Sequence, residues 1–202
     1  EYEAAVVAAF RKMASDGRVY RGLKPVHWCW SCETALAEAE LEYQDIASPS
    51  VTVRLEVVAG LDDLRASDPT YLLVWTTTPW TLPSNLAAAV GRDYDYVAVK
   101  VNGVTYVVAE YLLPGVMAGA RFEHYDVVKR LRGEDLLGVK YRHPFYDRVS
   151  PVIATDFVTL DQGTGIVHIA PGHGAEDFYA GQEYGLDILS PVDERGRFTD
   201  QI

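Results

Sequence analysis

The sequence predicts an α+β fold, a barrel-like mixed β domain carrying a few short helices. Three observations predict it. Short apolar or alternating runs recur along the 202 residues, each bounded by turn formers, as in a chain of many short strands. Two of these runs, Tyr96–Val101 and Val104–Ala109, flank Asn102-Gly103, the strongest short hairpin signal. Helical periodicity is confined to a few segments, which disfavours a doubly wound sheet.

The elements follow in order. Tyr2, Val6, Phe10 and Met13 fall on one helical face, and Asp16-Gly17 supplies a C-terminal stop. Next, Ala37, Ala39, Leu41 and Tyr43 alternate with Glu38, Glu40 and Glu42. Composition there favours a helix, but the alternation favours a half-exposed strand, and the expectation follows the alternation. Ser48-Pro49-Ser50 marks a boundary between a leading segment, residues 1–47, and a main domain, residues 48–202. Strands are expected at Val51–Val58, through Tyr71-Leu72-Leu73-Val74, at Tyr125–Leu131, at Val152–Thr155 and at Gly165–Ala170. Leu61–Ser67 reads as a short helical connection, and Tyr111–Met117 as a short helix broken at Pro114-Gly115. A helix from Ala175 to Tyr184 stops at Gly185, and Asp193-Glu194-Arg195-Gly196 reads as a turn.

Hydrophobic residues make up 49% and charged residues 23%, enough for a real core. No apolar run reaches membrane-spanning length, and the first ten residues do not resemble a signal peptide. The chain opens without methionine, directly on a helical pattern, so the expectation is a piece of a larger protein. The net charge of −11 argues against a free-standing nucleic-acid binder, since phosphate neutralisation needs a basic surface. Any nucleic-acid partner is therefore expected to be held mostly elsewhere. Two cysteines in one CxxC cannot form a disulfide framework, and a cytoplasmic protein is the expectation.

Three stretches carry chemistry. In "HWCWSC", Cys29 and Cys32 follow His27. A thioredoxin-type site needs a preceding βαβ pattern and a motif that opens a helix, and neither is present. Two thiolates at this spacing make half of a tetrahedral zinc site. The chain has no other cysteine, and the expectation is a structural half-knuckle whose missing pair lies in the parent protein, with His27 too close in sequence to count on.

In "DQGTGIVHIAPGHGAEDF", Ile166 and His168 point to one side of a strand while Val167 and Ile169 point to the other. His168 reads either as a hydrogen-bonded core histidine or as a site residue in the company of His173, Asp177 and glycines that permit close approach. Asp177 reads either as a site carboxylate or as one placed at the positive end of a helix dipole. Metal ligation by these three lacks any recognised spacing. In "WTTTPWT", Thr76, Thr77 and Thr78 close a strand at Pro79, and hydroxyls beside buried apolar residues need partners. No serine-type elbow is present, so the economical nucleophile is water.

Together "YRGLKPVHWCWSC…ALAEAELEY", "WTTTPWTLPSNLA" and "GTGIVHIAPGHGAEDF" resemble the inserted editing domain of isoleucyl-tRNA synthetase, in the class I aminoacyl-tRNA synthetase family. The resemblance covers the chain from about Val19 to Ile202. Valyl and leucyl members resemble it less, since they carry an arginine where this chain has Thr78. The nucleotide-binding signatures of amino-acid activation are absent, so ATP belongs to the parent enzyme.

The resemblance implies hydrolysis of mischarged valyl-tRNA(Ile), with isoleucine excluded by pocket size; isoleucyl-tRNA synthetase is itself the standard example of such double-sieve editing. It places Thr76, Thr77, Thr78, Trp80, Asn85, His168 and Asp177 in the site. Asp177 would anchor the α-ammonium, His168 and Trp80 would wall out the extra carbon, and the threonines would hold the ribose and order water. The implied partners are the 3′ end of valyl-tRNA(Ile), valyl-adenylate as a second substrate, and the rest of the synthetase. Zinc at Cys29 and Cys32 would be completed by the parent, and hydrolysis itself would need no cofactor. The competing readings are a non-catalytic synthetase insertion and a thioredoxin-like oxidoreductase.

Overall fold

The computed structural model describes all 202 residues. In chain order it contains α1 (Tyr2–Ser15), β1 (His27–Cys29), β2 (Thr34–Leu36), β3 (Val51–Ala59), α2 (Asp62–Arg65), β4 (Thr70–Thr76) and β5 (Ala87–Val90). There follow β6 (Asp95–Val101), β7 (Val104–Ala109), α3 (Leu113–Gly119), β8 (Asp126–Arg132), β9 (Lys140–Arg142), β10 (Val149–Ala154), β11 (Ile166–Ile169) and α4 (Ala175–Tyr184). The strands β1 and β2 form a separate hairpin, and the other nine make one sheet in the order β11-β5-β10-β9-β3-β4-β7-β6-β8. The sheet is mixed: β10 with β5 and β4 with β7 are parallel pairs. It curls until β11 packs against β4. Two bonds tie the residues just before β11 to the neighbouring strands at this seam: the Ala109 N–H of β7 donates to the Thr164 carbonyl at 2.9 Å, and the Tyr96 hydroxyl of β6 donates to the Gly165 carbonyl at 2.7 Å. The result is the barrel-like α+β architecture that the strand pattern predicts.

Alternation sorts the side chains. Along β6, Tyr96 and Ala98 point into the enclosed core, while Val97, Val99 and Val101 point outward beneath Leu113 and Met117 of α3. Along β5, Ala88 and Val90 point inward, while Ala87 and Ala89 meet Ile153, Ile169 and Ala180 beneath α4. Both helices thus cover the outside of the curled sheet, which buries two faces of its central strands. The turn between β6 and β7 uses Asn102 at φ 51° and Gly103 at φ 79°, the left-handed pair that a tight hairpin requires.

Three local expectations are corrected. Ala37–Tyr43 is not a strand: Glu38–Glu40 forms a 3₁₀ turn, and the strand of this region is Thr34–Leu36. Its partner β1 ends opposite Leu36, so the later residues have no neighbour to pair with. Instead the Glu40 carboxylate accepts the Ala37 N–H at 2.7 Å and closes the turn. The helix near Tyr111 is not broken at Pro114-Gly115. Glu110–Leu112 is a 3₁₀ turn, and α3 then starts with Pro114 in its first turn, where a missing N–H is harmless. Finally, β1, β5 and β9 are strands that the sequence pattern does not predict.

The leading hairpin leans on the C-terminal turn. The Trp28 indole N–H donates to the Glu194 carbonyl at 2.7 Å, and Arg195 pairs with Glu33 at 2.9 Å. The expected face of α1 forms, with Tyr2, Val6, Phe10 and Met13 exposed. No helix is long and apolar enough to cross a membrane.

Candidate functional site

The threonine run sits where β4 stops. Pro79 opens a 3₁₀ turn, Pro79–Ser84, that folds the chain back on itself. The Thr78 N–H donates to Thr76 Oγ1 at 3.0 Å, and the two hydroxyls are 3.2 Å apart. Three residues per turn bring Thr81 beneath Thr78, so that its N–H and its hydroxyl both donate to the Thr78 carbonyl, at 3.0 and 2.8 Å. Thr76 and Thr78 share a side, as strand geometry predicts, while Thr77 is exposed.

Opposite them stands β11. Ile166 and His168 point inward, and the His168 Nε2 lies 3.0 Å from Thr81 Oγ1. Since the Thr81 hydroxyl proton is already directed at the Thr78 carbonyl, Thr81 Oγ1 accepts from His168, which fixes the proton on Nε2. Nδ1 is then a bare acceptor, buried without a partner. Burial, followed by the neighbouring His173 and His143, pushes the His168 pKa down to about 4, so the ring is neutral at pH 7.

The loop after β11 brings two more groups. Asp177, in the first turn of α4, accepts the Ala170 N–H through Oδ2 at 2.8 Å. Burial raises its pKa and outweighs that bond, which acts to lower it. His173 Nε2 lies 2.8 Å from the Oγ of Ser84, which is buried. Together Trp75, the four threonines, Val167, His168, His173 and Asp177 line a cleft of about 240 Å³. Two larger grooves, of about 430 and 620 Å³, adjoin it at His173 and at Trp75. Neither gathers a carboxylate and hydroxyls as the small cleft does.

Five of the seven anticipated residues therefore meet: Thr76, Thr77, Thr78, His168 and Asp177. Trp80 and Asn85 do not. Trp80 is 55% exposed on the outside of the 3₁₀ turn, and Trp75 takes the place of the aromatic wall. Asn85 is sealed in the core, its amide donating to the Ala87 carbonyl at 2.8 Å and its Oδ1 accepting from the Tyr141 hydroxyl at 2.6 Å. Both its polar ends are occupied, so it shapes the turn and has nothing to offer a ligand. Thr81 joins the cleft unpredicted, although its i, i+3 spacing from Thr78 is the mark of a 3₁₀ turn after proline.

The CxxC lies apart from this cleft. The Cys32 N–H donates to Cys29 Sγ at 3.3 Å, and hydrogen bonds from Cys32 and Ser31 lower the Cys29 pKa while Cys32 is raised. Nowhere do three His, Cys, Asp or Glu side chains gather as a metal shell would need. Cys29 and Cys32 are free thiols with no third candidate ligand gathered beside them.

Comparison with known proteins agrees with the motifs. Residues 1–177 match the family model for class I tRNA synthetases (I, L, M and V). The isoleucine--tRNA ligase of Carboxydothermus hydrogenoformans is 51% identical over 199 residues, covering 98% of this chain and 21% of that protein. That of Nitratidesulfovibrio vulgaris is 49% identical, covering 100% of this chain and 22% of its own length. The chain thus spans about a fifth of the relatives it matches. Among solved structures, GlLeuRS-CP1 superposes with a TM-score of 0.58 at 22% identity, covering 71% of this chain and 68% of that one. The cytosolic leucyl-tRNA synthetase editing domain of P. knowlesi gives 0.57 at 12% identity, covering 72% and 67%. These likenesses show the fold, and the sequence matches show the family: this chain belongs to the class I tRNA synthetases of the isoleucine, leucine, methionine and valine group.

Proposed function

We propose that the chain is an editing domain that hydrolyses valyl-tRNA(Ile) and spares isoleucyl-tRNA(Ile). One observation carries the reading: a cleft of about 240 Å³ gathers four threonines, a neutral histidine and a half-buried carboxylate around one point. An aminoacyl ester presents matching chemistry, an α-ammonium for Asp177 and ribose hydroxyls for the threonines. His168, locked by Thr81, is a rigid wall against which one extra methylene collides, and overpacking of that kind costs about 1–3 kcal/mol. A polar, water-accessible cleft then needs only to order water beside the carbonyl. Valyl-adenylate offers the same ammonium and ribose and is proposed as a second substrate. The acidic chain leaves most of the tRNA contacts to the rest of a synthetase, of which this chain would be a part in the cytoplasm. A non-catalytic insertion is the second reading. The test is deacylation by the isolated chain at high concentration, where slow loss of valine from valyl-tRNA(Ile) with isoleucyl-tRNA(Ile) spared is expected. Equal hydrolysis of both, or of neither, counts against the size sieve.

Zinc at Cys29 and Cys32 is proposed as a half site completed by the parent protein. With two thiolates and no third ligand at hand, binding by this chain alone is expected to be weak. After dialysis, metal analysis should find well below one zinc per chain. A stoichiometric, dialysis-resistant zinc means a ligand has been missed, with His27 the first to replace.

A further inference from the structure

The 3₁₀ turn Pro79–Ser84 links the two walls of the cleft. It carries Thr81, whose Oγ1 lies 3.0 Å from His168 Nε2, and Ser84, whose Oγ lies 2.8 Å from His173 Nε2. A shift of the turn therefore reaches the opposite wall. Yet the turn braces itself poorly. Two of its six residues, Pro79 and Pro83, have no N–H to give, and the last carbonyls of any helical turn lack partners within it.

The bracing comes from residues 143–148, the loop between β9 and β10. Because β10 runs beside β5, which follows the turn, this loop is laid against the turn's end. The buried His143 ring accepts at Nδ1 the N–H groups of Phe145 and Tyr146, at 3.1 and 3.2 Å. Its proton is therefore on Nε2, which donates to the Leu82 carbonyl at 2.9 Å. Burial lowers the His143 pKa and keeps the ring in this neutral form at pH 7. Arg148 Nη1 donates to the Asn85 carbonyl at 2.9 Å and to the Pro83 carbonyl at 3.3 Å. Half-buried Arg148 belongs to none of the chain's ion pairs. Its charge faces these carbonyls and the Tyr146 ring instead of a carboxylate. Neither His143 nor Arg148 lines the cleft or its two adjoining grooves.

We propose that His143 and Arg148 are positioning residues that set the selectivity of the cleft. From the β9–β10 loop they grip the carbonyls of Leu82, Pro83 and Asn85, and this grip fixes where the turn holds Thr81. Thr81 in turn fixes His168, the wall that an extra methylene meets. The proposal rests on the editing reading given above. A wall excludes a methylene only if it cannot retreat, and a turn held at three carbonyls has nowhere to go. Released from that grip, the turn takes Thr81 with it, and His168 loses the bond that locks its ring.

The experiment uses a full-length synthetase carrying this chain and measures single-turnover deacylation of valyl-tRNA(Ile) and of isoleucyl-tRNA(Ile), each at saturation. His143→Asn keeps an oxygen where Nδ1 receives the loop N–H groups but has nothing that reaches Leu82. Arg148→Met keeps the length of the side chain and removes both donors. Each is expected to slow valyl deacylation by about ten- to a hundred-fold, as misplacement of a site by a remote change does. The ratio of valyl to isoleucyl deacylation is expected to fall by about fivefold or more, the order that one misfitting methylene commands. That ratio is the decisive readout. Loss of folded protein scales both rates alike and leaves it unchanged, whereas a loosened wall lowers it. Arg148→Lys, which still offers one donor, is expected to give an intermediate ratio. Folded variants that keep the parent's ratio overturn the proposal. Should His143→Asn and Arg148→Met fail to fold, an unchanged ratio in Arg148→Lys overturns it instead. A parent enzyme that deacylates neither ester, or both equally, fails the editing reading, which is a separate result from a selective parent with equally selective variants.

Discussion

Asp177→Asn is expected to lower deacylation of valyl-tRNA by roughly ten- to over a hundred-fold while leaving the protein at least as stable as before. The loss follows from chemistry: a charge-assisted bond from the α-ammonium to a carboxylate is worth about 1.5–3 kcal/mol, and asparagine keeps the shape without the charge. The stability half of the result separates this role from its rival. A carboxylate that merely complements the α4 dipole stabilises the fold by about 0.3–1 kcal/mol, so its removal should lower the thermal midpoint. Here burial dominates and raises the pKa above its ordinary value. A raised carboxylate pKa means that the folded state holds its proton more tightly than the unfolded state does. The contribution to stability is then fullest in acid and declines as pH rises from the unfolded pKa through the folded one. At neutral pH the charged Asp177 is a burden on the fold, and asparagine relieves it while still accepting the Ala170 N–H. The measurement is deacylation within a full-length synthetase beside thermal unfolding. An active variant sinks the anchor role, and a variant that melts well below the parent favours the dipole.

The second large effect is on the fold. Gly165→Ala is expected to destabilise the protein by about 2–5 kcal/mol, the sum of roughly 1–2 for a left-handed alanine and about 1–3 for overpacking. Gly165 has φ +72°, and a Cβ there would lie 2.4 Å from the Cβ of Ala109. The clash falls on the seam where Ala109 bonds Thr164 and Tyr96 bonds the Gly165 carbonyl. Gly17→Ala provides the control. Its φ is +71°, but nothing lies within 4 Å of the added Cβ, so only the backbone term applies. Thermal unfolding of the two variants side by side separates strain from collision. Equal shifts mean the seam tolerates the methyl.

Much of this was legible from residues that act locally. Asn102-Gly103 dictates its own turn, and Gly185 at φ +66° ends α4 where a C-terminal glycine should. The alternation puts His168 on the same side of the strand as Ile166, and the fold turns that side inward. What escaped was decided at a distance. In β5, Ala87-Ala88-Ala89 has neither alternation nor β-branching and is a helix former by propensity. It becomes a strand because parallel β10 and antiparallel β11 leave room only for small side chains, all fully buried. The Glu-rich segment after β2 erred in the opposite direction, with a strand pattern but no strand beside it. In the site, the threonines were legible as hydroxyls in need of partners. Trp80 and Asn85 fall outside the cleft because the 3₁₀ turn sends one out to solvent and the other into the core, and the proline and threonine spacing that marks the turn does not say which way each side chain goes.

The closure of β11 against β4 also bears on how the protein comes into being. Thr81 and His168 touch across 87 positions of sequence, and every other strand of the curl lies between them in space or along the chain. Contacts of such separation form late, because the loop entropy they overcome is offset only once the intervening strands are in place. The cleft is therefore expected to be completed late in folding. A newly made chain has one wall of threonines and no opposite wall until residues beyond Gly163 arrive, and the wall then appears in a single act with the barrel. The cleft is in this sense a late-stage reporter: a chain that presents both of its walls has already drawn β4 and β11 together.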